Sequence, residues 1–169
     1  MAGTNWRQMQ SKSTATATSG HFPAIILLDP RLGENIGMVA RAMLISGLTS
    51  LGLVRPRDGW PNPRAAGSAA GADLVLEGAK VFKKTSDAIA DLNLVFATTA
   101  RDRDMIKEIV TPEGAAREIR AVGSKQCGIL FGREAKGMKN EDVVLANKIV
   151  IAPLNPGFAS LTLSQEDLL

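Results

Sequence analysis

Short apolar runs that alternate with helical segments constrain the fold of this chain more than any other feature of its sequence. Five runs have the length and composition of strands that are buried on both faces: 22–30 (FPAIILLDP), 50–54 (SLGLV), 93–100 (NLVFATTA), 127–131 (CGILF) and 148–152 (KIVIA). Parallel strands need crossover connections, and a helix is the usual crossover. The alternation therefore predicts an α/β fold with a mainly parallel sheet flanked by helices, whose ligands bind at the carboxyl ends of the strands.

The segment after the first run has the clearest helical pattern. Apolar residues of 33–47 recur every three or four positions, and Gly47 stands where a helix would end. The expected buried stripe consists of Ile36, Val39, Ala40, Met43 and Leu44.

Capping residues and short patterns define the remaining elements. Thr111, followed by Pro112, is a typical helix start, and Thr85 or Ser86 is a candidate N-cap. These signals predict helices over 85–92, 111–122 and 139–147, a short strand at 79–82, and a small-residue helix or loop over 64–72.

Composition narrows the function classes without choosing one. A chain of 169 residues suits one domain, and a net charge of +3 permits a polyanionic partner without demanding one. The one cysteine, Cys127, excludes an intrachain disulfide and fits a reducing compartment, so we expect a cytoplasmic protein. His21 is the one histidine, so no cluster of zinc ligands is expected, and no run approaches the about 20 apolar residues of a membrane span. We expect a flexible N-terminal leader, 1–21, and one domain, 22–169.

Two of the loops that follow predicted strands leave their function open. Gly33, Gly37 and Arg41 share one helical face beside a helix N-terminus that suits an anion. Either the glycines admit a ligand that Arg41 contacts, or Arg41 is an ordinary surface residue. Thr98 and Thr99 end another strand, with two arginines close behind, and they either contact a ligand or form a solvated loop.

The loop after 127–131 has the sharpest local pattern. Gly132 and Gly137 have the spacing of the phosphate-binding loop of nucleotide hydrolases. Met138 stands where that loop needs its lysine, and Lys139 where it needs the hydroxyl that binds Mg²⁺. A nucleotide hydrolase is therefore rejected, and no G-x-G-x-x-G follows the first strand to indicate a dinucleotide site.

Three stretches together resemble one family, the SPOUT class of methyltransferases, in its SpoU/TrmJ-like branch of tRNA/rRNA ribose 2′-O-methyltransferases. They are NIGMVARAM (35–43), LFGREAKGM (130–138) and IAPLNPGFASLTLS (151–164). The first carries the Asn and Arg of the family at Asn35 and Arg41, and the second matches its F-G-x-E-x-x-G motif.

The resemblance implies a fold, a cofactor and partners. The fold would be an α/β domain with a C-terminal trefoil knot, and the protein would be a homodimer without a metal or a membrane contact. S-adenosyl-L-methionine would donate a methyl group and leave as S-adenosyl-L-homocysteine. The substrate would be tRNA or rRNA, with 2′-O-methylation of a ribose in the tRNA anticodon loop as the leading expectation.

The resemblance also assigns roles to residues. Arg41 would orient the ribose 2′-hydroxyl and favour its deprotonation, with Asn35 and Ser160 as polar helpers. The cofactor would contact Thr98, Thr99, Ala100, Leu130, Phe131, Gly132, Glu134, Gly137, Ile151, Ala152, Ala159, Ser160 and Leu161. The RNA would contact Arg31, Arg41, Arg101, Arg103 and Arg133, with Arg55, Arg57 and Arg64 as further candidates.

Two departures from the family pattern leave alternatives open. Thr162 stands where the family has Asn, and the helix expected after Ser164 is short, as though truncated. These departures favour, as one alternative, a non-catalytic RNA-binding module that keeps the fold. A methyltransferase acting on rRNA would use the same cofactor residues and is the other alternative.

Overall fold

The computed structural model describes residues 22–99, 106–123, 126–134 and 136–152. In these ranges seven parallel strands form one sheet in the order β3-β2-β1-β6-β4-β7-β5. The strands are β1 (Ala24–Leu28), β2 (Leu51–Val54), β3 (Lys80–Phe82), β4 (Leu94–Thr98), β5 (Glu108–Val110), β6 (Cys127–Phe131) and β7 (Lys148–Val150). The helices are α1 (Gly33–Ile45), α2 (Pro63–Ser68), α3 (Asp73–Glu77), α4 (Thr85–Ala88), α5 (Pro112–Ala121) and α6 (Asn140–Val143).

The predicted parallel α/β architecture is confirmed. The four strands at the centre of the described sheet, β2, β1, β6 and β4, are largely buried on both faces, which explains why their sequences are continuous apolar runs. Helices α1, α2, α3 and α5 pack on one face of the sheet, and α4 and α6 pack on the other. The trefoil knot expected from the resemblance involves 153–169, which lie outside the described residues.

The first helix confirms most of its predicted pattern. Gly47 has φ +75°, as a residue after a helix end requires, and four of the five stripe residues are buried. Leu44 is the exception, with 36% of its surface exposed, and Ile45 is 72% exposed. Helix α2 contacts α1 at Gly33 and Gly37, in its first turns, whereas the exposed Leu44 and Ile45 lie in its last turn.

The glycines of α1 admit a second helix, which occupies the space that a ligand would need in one of the two alternatives left open by the sequence. A Cβ atom on Gly33 would lie 2.6 Å from Asn62 Oδ1, and one on Gly37 would overlap the Ser68 hydroxyl and the Ala65 carbonyl oxygen. Helix α2 therefore packs directly on the backbone of α1. The Ser68 hydroxyl donates a hydrogen bond to the carbonyl oxygen of Glu34 at 2.8 Å, which fixes this contact.

Of the two predicted helix N-caps, the one of α5 is confirmed and the one of α4 is wrong. Thr111 caps α5 as expected, since its hydroxyl oxygen accepts a hydrogen bond from the backbone N–H of Gly114 at 3.1 Å. The N-cap of α4 is Lys84, so neither Thr85 nor Ser86 has that role. The Thr85 hydroxyl instead donates to Asp142 Oδ1 at 2.6 Å, because α6 lies against the start of α4. This tertiary contact outweighs the local capping preference.

No described helix has the length and apolar character needed to cross a membrane, and no group of three metal-ligating side chains was found among the described residues.

Candidate functional site

The sheet order brings three predicted cofactor segments together. Strand β4 pairs with both β6 and β7, so their carboxyl ends are neighbours at one edge of the sheet. The Thr98 hydroxyl donates to the carbonyl oxygen of Leu130 at 3.0 Å, and the Thr99 N–H donates to that of Val150 at 3.1 Å. The described parts of these segments, including Ile151 and Ala152 after β7, therefore lie side by side.

The loop after β6 folds back over the end of its own strand. The backbone N–H of Arg133 donates to the carbonyl oxygen of Gly137 at 3.2 Å, and the reverse bond is 2.8 Å long. Gly137 has φ +67°, and a Cβ atom on Gly132 would overlap the backbone of Gly137 and Met138. Glycine is thus required at 132 by close packing and favoured at 137 by the backbone conformation.

Asn35 and Glu134 meet although 99 positions separate them in the sequence. Asn35 Nδ2 donates to Glu134 Oε1 at 2.8 Å, and the backbone N–H of Arg31 donates to Glu134 Oε2 at 3.2 Å. Strands β1 and β6 pair directly, so the loops that follow them start at adjacent points of the sheet edge. The structure therefore unites two of the predicted motifs.

The carboxylate of Glu134 also lies close to the start of α1. A helix N-terminus carries a partial positive charge, which stabilises a nearby carboxylate. The sequence pattern indicated an anion such as phosphate at this place, and the structure provides an anion from the chain itself.

The arginines predicted to contact RNA differ in their surroundings. Arg31 and Arg41 are exposed, and Arg41 forms no ion pair with another described residue. Arg133 is half-buried, and its Nε atom has no hydrogen-bond partner among the described residues. Arg57 is exposed, while Arg64 lies 3.8 Å from Glu34 Oε1.

Arg55 forms ion pairs with two carboxylates of the chain itself, so its expected role as a phosphate contact is not supported. Its Nε donates to Asp29 Oδ1 at 2.8 Å and its Nη2 donates to Asp29 Oδ2 at 3.0 Å, while Nη2 also lies 3.5 Å from Asp142 Oδ2. The hydrogen bonds from Arg55 hold the pKa of Asp29 below its ordinary value of 3.8. The sequence interpretation missed this cluster. The available signal was a pair of opposite charges, one at the end of the first predicted strand and one just after the second.

Several predicted site residues lie outside the described residues. They are Ala100, Arg101, Arg103, Ala159, Ser160 and Leu161, and Thr162, where the chain departs from the family motif, also lies outside them.

One cavity that described residues line is remote from these motifs. It measures about 400 Å³ and opens where β1, β2 and β6 begin, beside α4. No predicted site residue lines it.

Comparison with known proteins identifies a family and close relatives. Residues 23–165 match the model of the SpoU rRNA Methylase family. A curated relative from Escherichia coli O6:K15:H31, named tRNA (cytidine/uridine-2′-O-)-methyltransferase TrmJ, is 34% identical over 141 residues, which are 83% of this chain and 57% of the relative.

Solved structures show the same fold. TrmJ from Z. mobilis ZM4 is 52% identical with a TM-score of 0.83, over 87% of this chain and 66% of that one. SpoU methyltransferase AviRb from Streptomyces viridochromogenes, solved in complex with the cofactor AdoMet, is 15% identical with a TM-score of 0.67, over 99% of this chain and 59% of that one. The chain thus spans somewhat more than half the length of the curated relative and about two thirds of the Z. mobilis protein.

Proposed function

This chain belongs to the SpoU rRNA methylase family, and we propose that it methylates the 2′-oxygen of a ribose in the anticodon loop of tRNA. The observation that carries the proposal is the contact of Asn35 with Glu134, which joins the two motifs that the family would use for substrate and cofactor. The names of the relatives, tRNA (cytidine/uridine-2′-O-)-methyltransferase and TrmJ, support the substrate and the reaction.

We propose S-adenosylmethionine as the cofactor, bound at the carboxyl ends of β4, β6 and β7. The residues present there fit it, because a neutral adenine needs backbone hydrogen bonds and apolar walls rather than a phosphate cradle. Leu130 and Phe131 are buried apolar residues at this edge, and the tight approach at Gly132 brings backbone groups close to it. The proposed contacts among the described residues are Thr98, Thr99, Leu130, Phe131, Gly132, Glu134, Gly137, Ile151 and Ala152.

The chain's own residues have separate tasks in this reaction. When bound, S-adenosylmethionine would supply a methyl group: its carbon–sulfur bond would break as the methyl carbon bonds to the ribose 2′-oxygen, S-adenosylhomocysteine would leave, and the hydroxyl proton would pass to solvent. Arg41 orients the 2′-hydroxyl, and its positive charge stabilises the negative charge that develops on the oxygen. Asn35, held by Glu134, places a polar side chain less than two helical turns before Arg41. Much of the rate enhancement comes from correct placement of donor and acceptor.

Arginines beside the site are the proposed contacts of the tRNA backbone. Arg31 and Arg41 are exposed close to the Asn35–Glu134 contact in the sequence, and Arg133 lies next to Glu134. Phosphate contacts give a binding affinity that falls steeply as salt rises. We also propose Arg101 and Arg103 as contacts, from the resemblance alone.

We further propose that the protein is a homodimer with a C-terminal trefoil knot, and that it works in the cytoplasm. Exposed apolar side chains on both sides of Arg41 support the dimer: Met38 is 39% exposed and Ile45 is 72% exposed. A second protomer that covered them would bury apolar surface beside the site. The buried thiol of Cys127, which forms no disulfide, is compatible with the reducing cytoplasm.

A second candidate is a non-catalytic RNA-binding module, which Thr162 favours because it replaces the family's Asn. The family description also keeps rRNA as an alternative substrate.

Two measurements test the proposed function. Titration with S-adenosylhomocysteine should show binding by calorimetry, and incubation with tRNA and labelled S-adenosylmethionine should transfer the label. Mass spectrometry of the digested RNA should then locate the methyl group on a ribose of the anticodon loop. Salt-dependent tRNA binding without any methyl transfer would favour the non-catalytic module instead.

The variant Arg41→Ala tests the assigned role of the arginine. We expect methyl transfer to fall about 100-fold or more, as for other groups that stabilise developing charge, while S-adenosylhomocysteine affinity stays close to that of the wild type. Arg117→Ala is the matched control, because Arg117 is an exposed arginine on α5, remote in sequence from the motifs. Equal turnover of Arg41→Ala and the control would remove Arg41 from the mechanism.

A further inference from the structure

We infer that Arg55 is a positioning residue. Through Asp29 and Asp142, it holds the loop after β1 and the loop after β6 in their positions relative to each other. This inference rests on the proposed function, because the loops it holds are those that meet at Asn35 and Glu134. Arg55 itself lies at the end of β2, outside the three family motifs.

Asp29 links Arg55 to the first loop. Asp29 directly follows β1, and two residues later the Arg31 N–H donates to Glu134. The guanidinium of Arg55 binds both oxygens of the Asp29 carboxylate, at 2.8 and 3.0 Å. A bidentate pair of this kind fixes direction as well as distance. Because Asp29 has φ +48° and Arg55 φ +51°, both strands turn sharply at the pair.

Asp142 links Arg55 to the second loop. Asp142 lies in α6, which begins three residues after Gly137 ends the folded-back turn. It is 4% exposed, and its Oδ1 accepts the Thr85 hydroxyl hydrogen bond at 2.6 Å. Its Oδ2 is buried without a hydrogen bond from a described residue and lies 3.5 Å from Arg55 Nη2. Among the described residues, the positive charge of Arg55 therefore offsets the cost of burying this carboxylate oxygen.

The contacts close a ring around the two loops. Glu134 joins them at one point, and Arg55 joins their flanks at the other, through Asp29 and Asp142. A planar guanidinium can face two carboxylates at once, whereas a lysine ammonium acts as a point charge. Without Arg55, the carboxylates of Asp29 and Asp142 would lose the cation that both of them contact, and Lys139 and Arg133 would remain as weaker positive influences on Asp29, so we expect the loops to separate.

Kinetics of Arg55→Met and Arg55→Lys test this inference. We expect kcat for methyl transfer to fall about 10- to 100-fold in Arg55→Met, the effect of a small misplacement of reacting groups. We expect an intermediate loss in Arg55→Lys, and in both variants a smaller loss of S-adenosylhomocysteine affinity than of kcat, because the proposed cofactor contacts on β4 and β7 remain. The control is Lys148→Met, which removes a cation that bridges Glu108 and Glu118 at the start of β7 and should leave kcat unchanged.

A double-mutant cycle with Glu134→Gln separates positioning from simple destabilisation. If Arg55 acts through the loop contact, Arg55→Met should cost much less in kcat when Glu134→Gln is already present. Additive losses in kcat would overturn the inference. Losses in Lys148→Met as large as those in Arg55→Met would also overturn it.

Failure of the proposed function is distinguishable from failure of this inference. If the wild-type protein transfers no methyl group to tRNA, the proposed function is wrong, and the four proteins of the cycle are compared by urea unfolding. Non-additive changes in the free energy of unfolding would then still support the ring through Arg55 and Glu134. Additive changes would overturn it.

Discussion

At the scale of single residues, the hydrogen bonds of Glu134 explain why a carboxylate is suited to this position. The two partners of its side chain among the described residues, the Asn35 amide nitrogen and the Arg31 backbone nitrogen, are donors. A carboxylate offers two acceptor oxygens, whereas the amide of glutamine offers one acceptor and turns a donor toward the other partner. The site therefore depends on the charge and on the symmetry of this side chain.

The Asp29–Arg55 pair predicts a specific dependence of stability on pH. The pKa of Asp29 is lowered in the folded protein, mainly by the hydrogen bonds from Arg55. The folded state therefore binds a proton at Asp29 less readily than the unfolded state, whose pKa lies near 3.8. The stabilisation is complete above this value and is lost as pH falls through the lower, folded pKa.

Unfolding by urea at several pH values checks this prediction. The difference in free energy of unfolding between wild type and Asp29→Asn should be constant from about pH 5 to 7. It should shrink as pH falls below 3.8, the ordinary pKa of the side chain. Asp58→Asn serves as the control, since Asp58 is exposed and forms no ion pair with a described residue. A difference that grows toward acid pH would contradict the assignment.

At the scale of elements, the packing of α2 on α1 predicts opposite effects for two glycines. Gly37→Ala would drive a Cβ atom into the backbone carbonyl of Ala65, so we expect a loss of about 1–3 kcal/mol in the free energy of unfolding. Gly67 lies in α2, and a Cβ atom added there would meet no atom within 4 Å, so Gly67→Ala should be neutral or stabilise by about 0.4–1 kcal/mol. Urea unfolding of both variants tests the contact. A neutral Gly37→Ala would mean that the two helices separate easily.

Elements that carry their own apolar pattern were predictable, and elements defined by their neighbours were not. The run CGILF predicts β6 with its bounds, because a strand buried on both faces needs apolar residues throughout. Strand β5 has three residues, of which Glu108 and Ile109 are exposed, and it was missed because an edge strand needs little apolar sequence. The pattern of Gly33 and Gly37 could not predict their contact with α2, because a close approach needs the same glycines whether a helix or a ligand approaches.

At the scale of the whole molecule, burial of the sheet centre predicts a gradient of stability across the strands. Backbone amides of β1, β6 and β4 should exchange with deuterium most slowly, because each of these strands has two neighbours and buried faces. Amides of β3 and β5, at the edges of the described sheet, should exchange faster. Hydrogen exchange measured by mass spectrometry checks the order. Equal protection of edge and centre would contradict it.

The arrangement of the candidate site could not be predicted from the periodicity of apolar residues in the sequence. The resemblance assigned Asn35 and Glu134 to one site, and the structure brings them within 2.8 Å of each other. Nothing in the pattern of apolar residues predicts that β6 lies between β1 and β4, because strand order is set by packing of the whole chain. The partners of Arg55 could not be predicted for the same reason.

The position of β6 has a consequence for the order in which a ribosome makes this protein. Strand β4 emerges before both of the strands that pair with it, and β1 waits for its second neighbour until residue 131 has been synthesised. At a synthesis rate of about 5–20 residues per second, the nascent chain therefore presents one open edge of β1 and both edges of β4 for a few seconds. The two parts of the sheet can join only when Cys127–Phe131 arrives between β1 and β4, which are both synthesised before it.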